Sequence, residues 1–238
     1  MKRLIVAIGF LTRLPVPQIA VSNADFAAAI RCYPLVGLIV GLAIACAGWL
    51  GAWIDPWTGA LAALAMWVAI TGALHLDGLS DLADGLGAGH GDRSRILAVM
   101  ADPHIGSFGV VTLCLQLIAK LVLLHALAPL GWMPLILIPF AARIGPLVWA
   151  RILPPLKAGL GASVATAVRI RDLAGWAALL AAAAVALPAL LATPLLIAGI
   201  ALWLRRTLGG ITGDGHGAGI ELTETGLLCA VVLVGTLR

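Results

Sequence analysis

The sequence predicts an all-α integral membrane protein, a polytopic bundle of about seven transmembrane helices, and three observations lead there. Of its 238 residues 62% are hydrophobic and only 11% charged, whereas soluble domains carry about 25% charged residues. A soluble fold of this length would have no polar skin for so much apolar surface. Apolar runs near the ~20 residues needed to cross a bilayer recur along the chain. Lysine and arginine also fall in alternate connections between those runs, as expected of a multi-pass protein with one cytoplasmic face. The length permits a single domain over 1–238.

Taken in order, Lys2 and Arg3 precede the apolar stretch Leu4 to Leu11. This resembles a signal peptide, but Arg13 interrupts it and no small-x-small cleavage site follows. The segment therefore reads as a retained interfacial or short embedded piece. Ser22-x-x-Asp25 has the form of a capping box opening a helix toward Arg31. Spans are predicted at Tyr33–Ile54, Trp57–Leu74, Ser107–Ala128, Met133–Leu153 and Ile220–Leu237. The run Leu173–Trp203 exceeds one crossing, and Pro188 and Pro194 near its middle split it in two. Lys2, Arg3, Arg13 and Arg31 precede the first long span. Arg93 and Arg95, then Arg151, Lys157, Arg169 and Arg171, then Arg205 and Arg206 lie in later loops of the same side. The connections at Asp55–Pro56, Pro129–Trp132 and Pro188–Pro194 contain no lysine or arginine, so the polar side is the cytoplasmic one.

The net charge of +4 is spread over short loops, which suits membrane orientation and gives no nucleic-acid face. Cys32, Cys46, Cys114 and Cys229 stand singly and read as packing thiols, without a CxxC or Cys/His pattern. Trp53, Trp57 and Trp132 near span ends read as an interfacial belt. The five histidines form no metalloprotease pattern; His75 and His216 lie where they would line a site, although plain hydrogen bonding serves equally well.

Chemistry concentrates in two acidic windows, which hold eight of the eleven acidic residues. The first contains Asp77, Asp81, Asp84, Asp92 and Asp102. Asp77, Asp81 and Asp84 lie at i, i+4 and i+7, so a helix stacks them on one face over about 10 Å. Three such carboxylates repel one another unless a cation neutralises them. Oxygen ligands without histidine or cysteine suit Mg²⁺, which also ligates phosphates. The plainer reading is a solvated acidic turn after the span. The second window holds Asp214, Glu221 and Glu224, at spacings of seven and three that share a helix face. Its glycine-alternating stretch Gly213–Gly219 would let backbone approach a ligand, or else form a flexible loop with a cap; it is not a Walker A loop. Lys120 and Arg143 lie inside predicted spans, where a lone cation costs at least ~3 kcal/mol. They must pair with carboxylates or face a polar cavity. Carboxylates, embedded cations and glycine together point to phosphoryl transfer.

His75–Gly85, HLDGLSDLADG, resembles the aspartate signature of the adenosylcobinamide-GDP ribazoletransferase (cobalamin synthase) family. GFLTRLPVP at Gly9–Pro17, Tyr33–Gly37, Asp102 to Gly109, and RRTLGGITGDGHGAGIELTE at Arg205–Glu224 resemble its other motifs, in order and over nearly the whole chain. The resemblance implies a late cobalamin-assembly step: adenosylcobinamide-GDP and α-ribazole, or its 5′-phosphate, give the cobamide (or its phosphate) and GMP. It implies Mg²⁺ bridging the diphosphate, and the acidic windows supply Asp77, Asp81, Asp84 and Asp214 as its candidate ligands. Asp214 and Glu221 are the candidate catalytic groups, with Glu221 deprotonating the attacking hydroxyl. Lys120, Arg143, Arg93 and His104 are the candidate substrate contacts. His104 departs from the family, where an arginine is expected. The expected setting is a bacterial inner membrane with the site facing the cytoplasm. Partners are the two small-molecule substrates and the bilayer, with no nucleic acid and a homo-oligomer left open. A CDP-alcohol phosphotransferase would share the chemistry, but Asp77-x3-Asp81-x2-Asp84-Gly85 lacks its Ala-Arg step. A divalent cation transporter would set its acids near the midplane, often in discontinuous helices, whereas these cluster toward one face.

Overall fold

The chain was analysed as a computed structural model that describes residues 1–156 and 160–237. Among them there is no strand, only an isolated bridge between Pro155 and Ile211. Helix α1 (Lys2–Leu11) is followed by α2 (Asn23–Ala29), which opens on the capping box expected at Ser22 and Asp25. A 3₁₀ turn, Ile30–Cys32, carries α2 into α3 (Tyr33–Gly51). Next come α4 (Pro56–Thr71), α5 (Leu74–Gly89), α6 (Arg93–Val99) and α7 (Ser107–Leu127). The chain continues through α8 (Pro134–Ala142), α9 (Gly145–Ile152), α10 (Leu160–Ala167) and α11 (Ile170–Ala186). A 3₁₀ turn at Pro188–Ala192 precedes α12 (Thr193–Thr207), and α13 (Gly213–Thr236) closes the fold.

Five of these stretches are long and apolar enough to cross a membrane, and the α4–α5 pair, bent by 85°, makes a sixth. Helix α11, at 17 residues, lies at the short limit of crossing length, which accounts for the seventh expected span. The split at Pro188 holds, because the proline ends α11 and opens the 3₁₀ turn. Two of the boundaries that move bear on the site. The span expected to reach Leu74 stops at Thr71, where Gly72 and Ala73 both take left-handed φ, 60° and 59°. Their conformation turns the chain, and the Arg13 N–H donates to the Ile70 carbonyl at 2.8 Å beside the bend. The last span, expected from Ile220, starts at Gly213.

Helix α7 shows how the fold sits in its solvent. Val111, Leu115, Ile118 and Val122 form an exposed stripe, while Gln116, Lys120, Leu124 and Leu127 point inward. Polar in and apolar out is the pattern of a helix whose outer face meets lipid. Packing between helices relies on small residues. Gly37 and Gly41 of α3 lie so close to the backbone of α8 that a Cβ on either would come within 3 Å of it.

The two ends of the bundle differ. At one end the Trp132 indole packs on Gly48 and Gly59, and Trp57 stacks on His125 with ring centres 3.8 Å apart. The Asp55–Pro56 and Pro129–Trp132 connections therefore meet there. Trp53 and Trp57 are exposed as an interfacial belt requires, but Trp132 is buried between two glycines and is a packing residue. At the other end Arg93 reaches the Arg206 carbonyl at 3.1 Å. Arg31 bonds the Ala167 carbonyl at 2.6 Å and pairs with Asp172 at 3.3 Å. Leu156 and Ile211 join the flanking loops. The basic connections thus gather at one end and the lysine- and arginine-free turns at the other.

Candidate active site

The site forms at the polar end, where α5 and α13 begin side by side. A Cβ on Gly78 would lie 2.7 Å from the Asp214 carbonyl oxygen, so only glycine lets these backbones approach so closely. The Thr212 hydroxyl caps α13 by accepting the Gly215 N–H at 2.9 Å. Asp77 lies in the first turn of α5 and Asp214 in the first turn of α13. Both carboxylates therefore sit at the positive ends of helix dipoles, positions that also favour phosphate.

Between them opens a cavity of about 540 Å³, in the range that holds a drug-sized ligand. Asp77, Asp214, Thr212, His75 and His216 contribute its polar lining, and Phe10, Phe26 and Tyr33 are among its apolar walls. Asp77 is exposed whereas His75 is buried, so the lining runs from a wet carboxylate to a dry imidazole. Neither ring nitrogen of His75 has a hydrogen-bond partner, and leaving such a group unsatisfied typically costs about 1–3 kcal/mol.

The three aspartates of α5 have different surroundings. Asp77 lines the cavity, whereas Asp81 and Asp84 do not. Asp84 is buried and accepts the Gly106 and Gly109 N–H groups, each at 2.8 Å. It thereby ties α5 to the start of α7. Among the described residues no group of three or more His, Cys, Asp or Glu side chains is placed to hold a metal ion. A cation shared with substrate phosphates does not need three, since Mg²⁺ often takes one or two carboxylates.

Glu221, Lys120 and Arg143, expected as base and substrate contacts, do not line this cavity. Lys120 Nζ lies 2.6 Å from Glu221 and 3.0 Å from Glu224, and Arg143 Nη1 lies 2.8 Å from the other Glu224 oxygen. Gln116 Nε2 donates to Glu221 at 3.0 Å, and Lys120 stands 4.0 Å over the Trp67 ring. All four charged side chains are at most 3% exposed. Two cations and two anions cancel within the network, which is how a low-dielectric interior tolerates them. Pairing was one of the two outcomes the embedded cations allowed. The remaining basic candidates lie elsewhere. Arg93 is held against the end of α12, and His104 is exposed in a loop, its ring 2.7 Å from Asp102. Hydrogen bonds from His104 hold the Asp102 carboxyl below its ordinary value.

Glycine-rich Gly213–Gly219 is the opening of α13 and not a loop. Its glycines serve helix contact, Gly217 facing the His75 backbone and Gly219 the Trp149 ring. Sequence reasoning passed over the walls. Phe10 lies in the stretch read as an interfacial or short embedded piece and Phe26 in the capped helix leading to Arg31, and no local pattern marks apolar residues that meet only in the folded bundle.

A polytopic helical membrane protein with two helix-start carboxylates lining one cavity at its polar end has the form of a membrane-surface enzyme. The family model for cobalamin-5-phosphate synthase matches residues 3–232. An adenosylcobinamide-GDP ribazoletransferase of Novosphingobium aromaticivorans is 58% identical, covering 99% of this chain and 98% of its own. Proteins of the same name from Laribacter hongkongensis (52%, covering 98% and 97%) and Thiobacillus denitrificans (50%, covering 96% and 94%) are also similar. No solved structure matches the chain. The chain belongs to the cobalamin-5-phosphate synthase family and is a transferase of cobalamin synthesis.

Proposed function

We propose that the protein transfers the adenosylcobinamide phosphate group from adenosylcobinamide-GDP to α-ribazole or its 5′-phosphate. GMP is released at the cytoplasmic face of a bacterial inner membrane. The observation that carries this reading is that Asp77 and Asp214, each in the first turn of its helix, line one cavity. The ribose 3′-hydroxyl oxygen forms a bond to the phosphorus on the aminopropanol arm. The bond from that phosphorus to the GMP oxygen breaks, and the hydroxyl proton leaves to a base. The positive helix ends favour the diphosphate and hold it against the acceptor. Asp77 and Asp214 are the oxygen ligands in the cavity lining that would hold Mg²⁺. Bound there, the metal neutralises phosphate charge and stabilises the leaving group. Asp214 also takes over from Glu221 as the candidate proton acceptor, because it lines the cavity and Glu221 does not. The basic connections at the site's end favour a cytoplasmic location.

The test is turnover by the purified protein in liposomes, with both substrates supplied. GMP should appear with the cobamide in equal amounts, stop on adding EDTA and return with Mg²⁺. No GMP under conditions where a relative is active would overturn the reading. EDTA-insensitive turnover would remove the metal from it.

A further inference from the structure

We infer that the arginine cluster where α11 begins binds an anionic phospholipid. Its guanidiniums hold the headgroup phosphate, and the isoleucines beside them pack on the start of the acyl chains. Three separate stretches of chain converge at this corner. Arg31 donates to the Ala167 carbonyl at 2.6 Å and pairs with Asp172 at 3.3 Å. The Trp176 indole N–H donates to the Arg31 carbonyl at 3.0 Å. From the end of α9, Arg151 Nη1 donates to the Val168 carbonyl at 3.3 Å, which brings it beside Arg169. Beneath them Ile30, Leu147, Ala150 and Val168 pack into a small buried cluster of their own, so the arginines stand on a fixed base.

The charge balance calls for an anion. Residues 30–33, 150–153 and 167–172 hold four arginines and one acidic residue, Asp172. That carboxylate is engaged by Arg31 and by the Arg169 backbone N–H, at 3.1 Å. Arg151, Arg169 and Arg171 are exposed, and guanidiniums gathered in this way suit a phosphate, which they meet with paired N–H donors. The apolar neighbours say which phosphate. Ile152 is 54% exposed, and Ile170, which stands between Arg169 and Arg171 in the chain, is 68% exposed. A soluble anion gives those side chains nothing to pack on. A phospholipid does, because its acyl chains begin just beneath its phosphate. Leu35 and Leu42 of α3 and Leu179 and Val185 of α11 are exposed as well. Surfaces of the kind that meet lipid therefore lead away from the corner along both helices. A zwitterionic lipid has the same chains but answers its phosphate with its own ammonium, and basic clusters at a membrane boundary prefer the anionic headgroup.

The experiment titrates the purified full chain in detergent with phosphatidylglycerol or phosphatidylcholine. It follows bound lipid by native mass spectrometry, with melting temperature as a second readout. Phosphatidylglycerol should bind about tenfold or more tightly than phosphatidylcholine and raise the melting temperature. Arg169→Gln with Arg171→Gln should lose about tenfold in phosphatidylglycerol affinity, whereas lysine at both positions, which keeps the charge, should retain most of it. Ile170→Ser should weaken binding with the charge untouched. Removing equal charge at the end of α12, by Arg205→Gln with Arg206→Gln, should leave the affinity within about twofold. Equal losses in the two double glutamine variants would overturn the site, leaving only a general attraction of basic loops for anionic lipid. Stabilisation by glycerol phosphate equal to that by phosphatidylglycerol would overturn the lipid assignment in favour of a soluble anion. If the Arg169→Gln and Arg171→Gln pair fails to fold, Arg171→Gln alone and Ile170→Ser carry the test, and unchanged affinity in both would refute the site.

Discussion

Lys120 and Asp77 carry opposite lessons about charge in this protein. Asp77 is exposed beside a cavity, so its charge is available to a ligand. Lys120 is sealed against Glu221 and Glu224, so its charge is already answered. Removing one member of such a buried set leaves an uncompensated charge and costs about 3–5 kcal/mol. Lys120→Met should therefore lower the melting temperature in detergent by many degrees. Adding Glu221→Gln, which removes the orphaned charge, should restore a large part of it. A double variant no more stable than Lys120→Met would show that the two residues do not couple. The sequence made both the cost of these cations and their need for partners legible. Only the fold brings α7, α8 and α13 together, so only the fold shows that the partners are Glu221 and Glu224. Asp84 taught the same lesson. Its helical register with Asp77 was readable, but its use in bonding Gly106 and Gly109 depends on a loop folding back onto α5.

Between elements, the critical contact is the crossing of α5 with α13. Gly78 sits against the Asp214 backbone with no room for a side chain. Gly78→Ala should push the two helix starts apart, separate Asp77 from Asp214, and reduce turnover by about tenfold or more, the effect of little over 1.4 kcal/mol of barrier. The bundle below should keep most of its helix content by circular dichroism. Full activity in Gly78→Ala would mean that the spacing of the two acidic windows is unimportant. Glycine alternation in Gly213–Gly219 was visible in the sequence as a sign of close approach. It could not say whether the approaching partner was a ligand or a helix, because both ask only for a missing Cβ. Helix boundaries were least legible at the α4–α5 bend. Ala73 adopts a left-handed φ of 59° there, a conformation imposed by tertiary packing that alanine's own preference opposes.

Over the whole molecule, the apolar composition and the alternation of basic and uncharged connections established the architecture, and the structure separates those connections to opposite ends. Cysteines placed at Arg95 and Gly213, both exposed, should label from one side of the membrane, and one at Gly131 from the other. Labelling of positions 95 and 213 from different sides would divide what the fold presents as one site. On the proposed function, chemistry occurs at the cavity lined by Asp77 and Asp214, while Asp84 and the Lys120 network hold the bundle together. Turnover and melting temperature measured side by side for Asp77→Asn, Asp214→Asn and Asp84→Asn test it most directly. Asp77→Asn and Asp214→Asn should each lose about 100-fold or more in turnover, nearly 3 kcal/mol of barrier, with melting unchanged. Asp84→Asn, by weakening two helix-start hydrogen bonds, should lower the melting temperature. Wild-type turnover in both Asp77→Asn and Asp214→Asn would contradict the claim.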